Sequence, residues 1–70
     1  MAYTRGNCRL RLLLQRAGMK QAELARRTGY SRHQISNWVN DREKMSFDAA
    51  ATVAFTLDCH MEELYEFHEG

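Results

Sequence analysis

The segment QAELARRTGYSRHQISNWVN, residues 21–40, limits the possible folds of this chain more than any other part of it. Apolar Leu24 and Ala25 fit one face of a short helix. Gly29 can take the left-handed conformation that ends this helix, and Ser31 then stands where a second helix would be capped. The segment therefore predicts two short helices joined by a tight turn.

The second of these helices has two unlike faces. Ile35, Trp38 and Val39 recur at i, i+3 and i+4, which predicts a buried face. The opposite face carries only polar side chains, namely Arg32, His33, Ser36, Asn37 and Asn40. Two closely crossing helices, the second with a polar outer face, are the physical requirements of a helix-turn-helix.

The spacing of these residues also matches a known pattern. The matching residues are Gly18, Gln21, Leu24, Ala25, Gly29, Ser31, Ile35, Ser36 and Trp38. With them the chain resembles the Cro and phage-repressor (Cro/CI-type, XRE-like) helix-turn-helix family of DNA-binding domains, over roughly Arg9 to Tyr65. The resemblance implies an all-α fold, a compact lambda-repressor-like bundle of five short helices with the helix-turn-helix as helices 2 and 3. Residues 1–70 would form one such domain.

Apolar residues that recur every three or four positions predict the other helices. The first ends at about Ala17, with a buried stripe made of Leu10, Leu13, Leu14 and Ala17. Ser46 would cap the fourth helix, whose inward residues are Phe47, Ala50, Ala51, Ala54 and Leu57. A last short helix would run from Met61 to about Phe67. We expect residues 1–6 to be a flexible arm and residues 68–70 to be a frayed tail.

Charge is divided unevenly along the chain. The formal net charge is only +1, which taken alone would argue against a nucleic-acid partner. All ten lysines and arginines, however, lie between Arg5 and Lys44 with only three acids, a balance of +7, while the chain from Met45 onward has six acids and no Lys or Arg. Around this motif the division favours a basic docking face and an acidic far end over two merely solvated surfaces.

The resemblance implies a sequence-specific double-stranded DNA-binding transcriptional regulator, a phage-type or mobile-element repressor. The candidates for base contact, on the helix that enters the major groove in such domains, are Arg32, His33, Ser36 and Asn37. Any one of these could instead bind a phosphate. The candidates for phosphate contact are Gln21, Ser31, Asn40 and Arg42. The chain would bind as a homodimer through its C-terminal end, at Met61, Leu64, Tyr65 and Phe67.

Four positions depart from the family pattern, and one of them is Lys20, which stands where the family usually has a capping Thr or Ser. Related domains often pair an arginine in the first helix with a glutamate just after the recognition-helix tryptophan, whereas Leu14 and Val39 occupy these positions here. The pair looks replaced as a unit. Phe55 stands where the family is usually polar, so it is either covered by a partner or a tolerated exposed aromatic.

Other classes of function are less well supported by the sequence. Two cysteines, Cys8 and Cys59, are too few for a disulfide scaffold. We expect them to be buried small apolar side chains of a protein in a reducing cytoplasm. The spacing of Cys59, His60 and His68 matches no zinc site, so we expect no bound metal. No catalytic or cofactor motif is present, so we expect neither a cofactor nor enzymatic activity. No membrane segment is predicted. The serious alternative is a protein-interaction module, antitoxin-like or antirepressor-like, that uses the acidic stretch from Glu62 to Glu69.

Overall fold

The computed structural model describes residues 2–69. Over this range it contains the α-helices α1 (Leu10–Ala17), α2 (Gln21–Thr28), α3 (Arg32–Val39) and α4 (Phe47–Leu57). Strand β1 (Tyr3–Cys8) precedes them, and a 3₁₀ turn (Met61–Leu64) leads into strand β2 (Tyr65–Glu69). Met1 and Gly70, the outermost residues of the expected arm and tail, lie outside the described residues.

The turn between α2 and α3 forms as the sequence predicts. Gly29 ends α2 with a φ of +85°, and its N–H donates to the Ala25 carbonyl at 2.9 Å. The hydroxyl of Thr28 donates back to the Leu24 carbonyl, also within the last turn of α2. Ser31 then caps α3, because its hydroxyl oxygen accepts the Gln34 N–H at 3.0 Å. These local bonds fix a sharp corner between the two helices.

One hydrophobic core joins all the elements. Leu10, Leu24 and Ile35 are fully buried and come from α1, α2 and α3 in turn. Val53 of α4 and Leu64 of the 3₁₀ turn complete the group of fully buried large side chains. Each short helix therefore depends on packing against the others, since a helix of this length is marginal in water by itself.

The buried face of α4 differs from the predicted one. Ala49, Val53 and Ala54 are buried, whereas Phe47 is 77% exposed. Phe47 lies two residues before Ala49, about 200° around the helix, so it points away from the core. Phe55 is 89% exposed, in agreement with its unusual position in the sequence pattern.

The prediction of five helices was wrong at the C-terminal end. Among residues 2–69 there are four α-helices. The 3₁₀ turn and β2 stand in place of the helix expected from Met61 to about Phe67. Residues 3–6 of the expected arm lie in β1, which pairs antiparallel with β2 in a two-stranded sheet. In the segment YEFHE the aromatic residues Tyr65 and Phe67 alternate with polar ones, which is the period of a strand rather than a helix. His68 and Glu69 of the expected tail therefore lie in β2.

Burial also changes the expected dimer contact. Leu64 is fully buried and Tyr65 is 7% exposed, so both belong to the core of the chain itself. The expectation that they are exposed residues available to a second copy was wrong. Met61 is half-buried against the core, and Phe67 is 49% exposed.

Leu14 and Val39 supply a test of the core. They are 4% and 6% exposed. Because an unpaired buried charge is far more costly than a buried pair, we expect Leu14→Arg alone to lower the free energy of unfolding by about 3 to 5 kcal/mol. Adding Val39→Glu should recover part of this loss. Urea melts followed by Trp38 fluorescence measure both effects, and strictly additive losses would show that the two sites do not interact.

Candidate nucleic-acid interface

Helix α3 presents a polar face to solvent. Arg32 and His33, in its first turn, are exposed, and Ser36 and Asn37 are half-buried beside them. The other face is anchored in the core through Ile35, Trp38 and Val39. In addition, the edge of the Tyr30 ring meets Trp38 with the ring centroids 5.0 Å apart, so the turn itself packs onto the helix. The helix that carries the polar face is thus held in place by the core and by the turn before it.

The N-terminal end of α3 is open to an anion. Ser31 is exposed, and its hydroxyl oxygen is used as an acceptor by the helix cap, which leaves its proton to donate outward. The unpaired N–H groups of a first helical turn add a partial positive charge. Gln21 occupies the first position of α2 and is half-buried.

The C-terminal end of α3 is held by a side-chain network. The Asn40 amide nitrogen donates to the Ser36 carbonyl at 2.9 Å and to the Ser36 hydroxyl at 3.2 Å. The Asn40 amide oxygen accepts from the Arg11 guanidinium at 3.2 Å. Asn40, a predicted phosphate contact, is therefore already engaged by groups of the chain itself.

The loop that follows folds back onto α3. The Asn37 carbonyl accepts the N–H of Arg42 at 2.8 Å and that of Glu43 at 3.3 Å. The Gln34 amide nitrogen donates to the Glu43 carboxylate at 2.9 Å. These bonds fix the backbone of the loop, while the Arg42 side chain extends from an exposed residue.

Asp41 ties the same loop to the sheet. Its backbone is left-handed, with a φ of +58°. Its carboxylate accepts the Cys8 N–H at 3.1 and 3.3 Å and lies 3.7 Å from the Arg5 guanidinium. That guanidinium in turn stands 4.7 Å above the Tyr65 ring. Strands β1 and β2 therefore hold the start of the loop in place.

Tyr65 holds the other end of the loop. Its hydroxyl oxygen accepts the N–H of Met45 at 3.0 Å, in a buried position. Burial raises the pKa of the Tyr65 hydroxyl and of the Cys8 thiol nearby. Both groups accordingly stay neutral at neutral pH, and Cys8 is a poor nucleophile there.

Most cations near the motif are unpaired within the described residues. Three arginines have carboxylate partners, in the pairs Arg27–Glu23, Arg16–Glu63 and Arg5–Asp41. No acid lies within ion-pair distance of the others that the structure describes, namely Arg9, Arg11, Lys20, Arg26, Arg32, Arg42 and Lys44. These cations are available to an outside anion.

Most of the predicted site residues lie on α3 or at its two ends. The four candidates for base contact lie on α3, and three of the candidates for phosphate contact, Ser31, Asn40 and Arg42, flank its two ends. Gln21 lies apart from these on α2. Sequence reasoning missed the contacts of Arg5 with Asp41 and of Arg11 with Asn40, because the partners are distant in the chain. It also missed the bond from Gln34 to Glu43, nine positions away, since no local pattern marks it.

Within residues 2–69 no group of three His, Cys, Asp or Glu side chains could hold a metal ion. Among the described helices, none has the length and apolar character required to cross a membrane.

A capped helix pair with a sharp glycine turn, a buried inner face and a polar, cation-flanked outer face defines a helix-turn-helix DNA-binding domain. The chain belongs to the family of Cro/C1-type HTH DNA-binding domains, whose sequence pattern matches residues 9–70. The family expected from the sequence is confirmed.

The fold is also found in solved structures. Five chains among these structures match. One is a candidate DNA-binding protein from Bacteroides fragilis, known from a crystal structure, which is similar with a TM-score of 0.79 over 93% of this chain and 100% of that chain. At 23% sequence identity this similarity shows the fold alone. No curated protein sequence matches the chain.

Asp58 is a matched control for a test of the contact between Asp41 and the sheet. Both residues are left-handed, with φ of +58° and +55°, but the Asp58 side chain makes no hydrogen bond or ion pair among residues 2–69. Alanine at either position meets similar backbone strain, so Asp41→Ala should cost about 1 kcal/mol more than Asp58→Ala, for the lost bond to Cys8. Urea melts compare the two variants, and equal losses would show that this contact adds no stability.

Proposed function

We propose that this chain is a sequence-specific double-stranded DNA-binding regulator of transcription, a phage-type or mobile-element repressor that acts in the cytoplasm. In this proposal α3 enters the major groove of an operator. The observation that carries it is the solvent-facing polar side of α3, which has donors at both ends and cations nearby that form no ion pair among residues 2–69. The basic balance of the chain up to Lys44 supports attraction to the phosphate backbone.

The four polar side chains of α3 have the chemistry for reading base edges. Arg32 can give two parallel hydrogen bonds to a guanine, and Asn37 can pair with an adenine. His33 and Ser36 can donate or accept. For the backbone, Gln21, Ser31 and Arg42 supply donors to phosphate oxygens, which would set the register of α3 in the groove.

The direct test is selection of bound sequences from a pool of random duplexes, followed by footprinting. The proposal expects a short enriched motif and a protected site around it. Recovery of sequences indistinguishable from the starting pool would overturn the claim of specificity.

Arg32 and Arg42 should affect binding in different ways. Arg32→Ala should cost about 1 to 3 kcal/mol of binding free energy and relax the preference at one operator position, because a base contact is lost. Arg42→Ala should weaken all sequences alike and make the slope of log affinity against log salt shallower by about one unit. Titrations of the selected duplex and its single-position variants measure both. The docking orientation is wrong if Arg42→Ala alters the preferred sequence and Arg32→Ala does not.

The proposal also includes a homodimer, because one domain of this size reads only a few base pairs. An apolar groove of about 280 Å³ supports a contact near the C-terminal end. Its apolar lining consists of Met45, Phe47, Ala50, Met61, Tyr65 and Phe67. Exposed Phe47 and Phe67 at this groove are the side chains that a second copy would cover.

Two phenylalanines of α4 give a matched test of the dimer. Phe47 lines the groove, whereas Phe55 is also highly exposed but lies outside the groove. We expect a dimer of the wild type in sedimentation at micromolar concentration or on operator DNA. Phe47→Glu should shift it to monomer, because a charge would be buried at the contact, and Phe55→Glu should not. A wild-type monomer bound singly under all conditions would remove the dimer from the proposal.

The same groove, close to the acidic residue Glu62, is also the observation that favours the alternative, a module that binds another protein. This alternative predicts no salt-dependent affinity for duplex DNA. Titration of a random-sequence duplex at low and moderate salt therefore separates the two functions.

A further inference from the structure

Both side-chain N–H groups of Asn40 are used within the chain. Its two N–H groups have the Ser36 carbonyl and hydroxyl as acceptors, at 2.9 and 3.2 Å. Its oxygen accepts from Arg11 at 3.2 Å. A guanidinium can only donate and a carbonyl can only accept, so these partners fix which end of the amide faces which group. Asn40 has no donor left for a phosphate.

Arg11, by contrast, has donors to spare. A guanidinium carries five N–H groups, and the one hydrogen-bond acceptor for Arg11 among residues 2–69 is the Asn40 oxygen. Arg11 is an exposed residue of α1, yet this bond brings its charged end to the C-terminal end of α3. The charge therefore lies beside the loop that also carries Arg42.

Nearby acids do not neutralise this charge. Asp41 accepts from Cys8 and faces Arg5, and Glu43 accepts from Gln34. Neither carboxylate forms an ion pair with Arg11 among the described residues. An arginine that is already oriented by one hydrogen bond loses less conformational freedom when it binds an anion. Its planar fork also suits phosphate geometry.

We propose that Arg11 binds a DNA backbone phosphate beside the C-terminal end of α3, and that Asn40 is the residue that positions it. This inference rests on the proposed function. It moves the phosphate contact from Asn40, where the sequence pattern suggested it, to a side chain of the first helix. With α3 in the major groove, the duplex would then be held by Ser31 at one end of α3 and by Arg11 with Arg42 at the other.

The experiment compares two arginines of the same helix. Arg11→Gln is the test variant, and Arg16→Gln is the control, because Arg16 faces Glu63 at 3.7 Å instead. Fluorescence anisotropy titrations of a labelled random-sequence duplex over a series of salt concentrations give the salt slope. We expect Arg11→Gln to make the slope shallower by about one unit and Arg16→Gln to leave it unchanged. Arg11→Lys should keep the wild-type slope, since the charge remains.

Asn40→Ala, made alone and together with Arg11→Gln, tests the positioning role. We expect Asn40→Ala to weaken duplex binding several-fold in the wild type but to have little further effect when Arg11 is already Gln. Urea melts should show the Asn40→Ala destabilisation in both backgrounds. A purely structural role for Asn40 predicts instead the same fold-loss of affinity in both.

The outcomes separate this inference from the proposed function. Equal changes of slope in Arg11→Gln and Arg16→Gln would show a general effect of net charge and overturn the inference. A salt-dependent wild type whose slope is unchanged in Arg11→Gln would overturn it also, with the DNA-binding function intact. A wild type without salt-dependent affinity for duplex would overturn the proposed function and this inference together.

Discussion

The pairing of β1 with β2 is the interaction on which the position of the loop after α3 depends. A two-stranded sheet is marginal in water by itself, so it needs the buried Tyr65 and Leu64 to attach it to the core. In return, the sheet holds the loop after α3 at both ends, through the bonds of Asp41 to Cys8 and of Met45 to Tyr65. The shape of the surface proposed to meet DNA is therefore set partly by the two ends of the chain.

Local signals in the sequence were sufficient for the centre of the fold. Gly29, Ser31 and the spacing of Ile35, Trp38 and Val39 each express a short-range requirement, and the structure meets all of them. Such requirements involve neighbours in the chain, so one sequence reveals them. The family also follows from these residues, since its pattern is centred on the same turn.

The ends of the chain and the network around α3 required information that a single sequence does not carry. β1 has little apolar alternation, and it becomes a strand because β2 offers it a partner some sixty residues later. Likewise, the contacts of Arg11 with Asn40 and of Arg5 with Asp41 join residues about thirty positions apart. A polar side chain in the sequence does not reveal that it has partners within the chain, as Asn40 does in Ser36 and Arg11.

The register of the sheet also determines how the fold would respond to a pulling force. Tyr3 lies opposite Glu69, so the outer ends of both strands are side by side. Tension applied at these two residues would open the strand pair one rung at a time, as a zipper opens, instead of loading all its hydrogen bonds in parallel. The opening would reach Arg5 and then Cys8, the residues that contact Asp41, before it reached the helices. The loop beside α3 would thus be released while the helix-turn-helix was still folded.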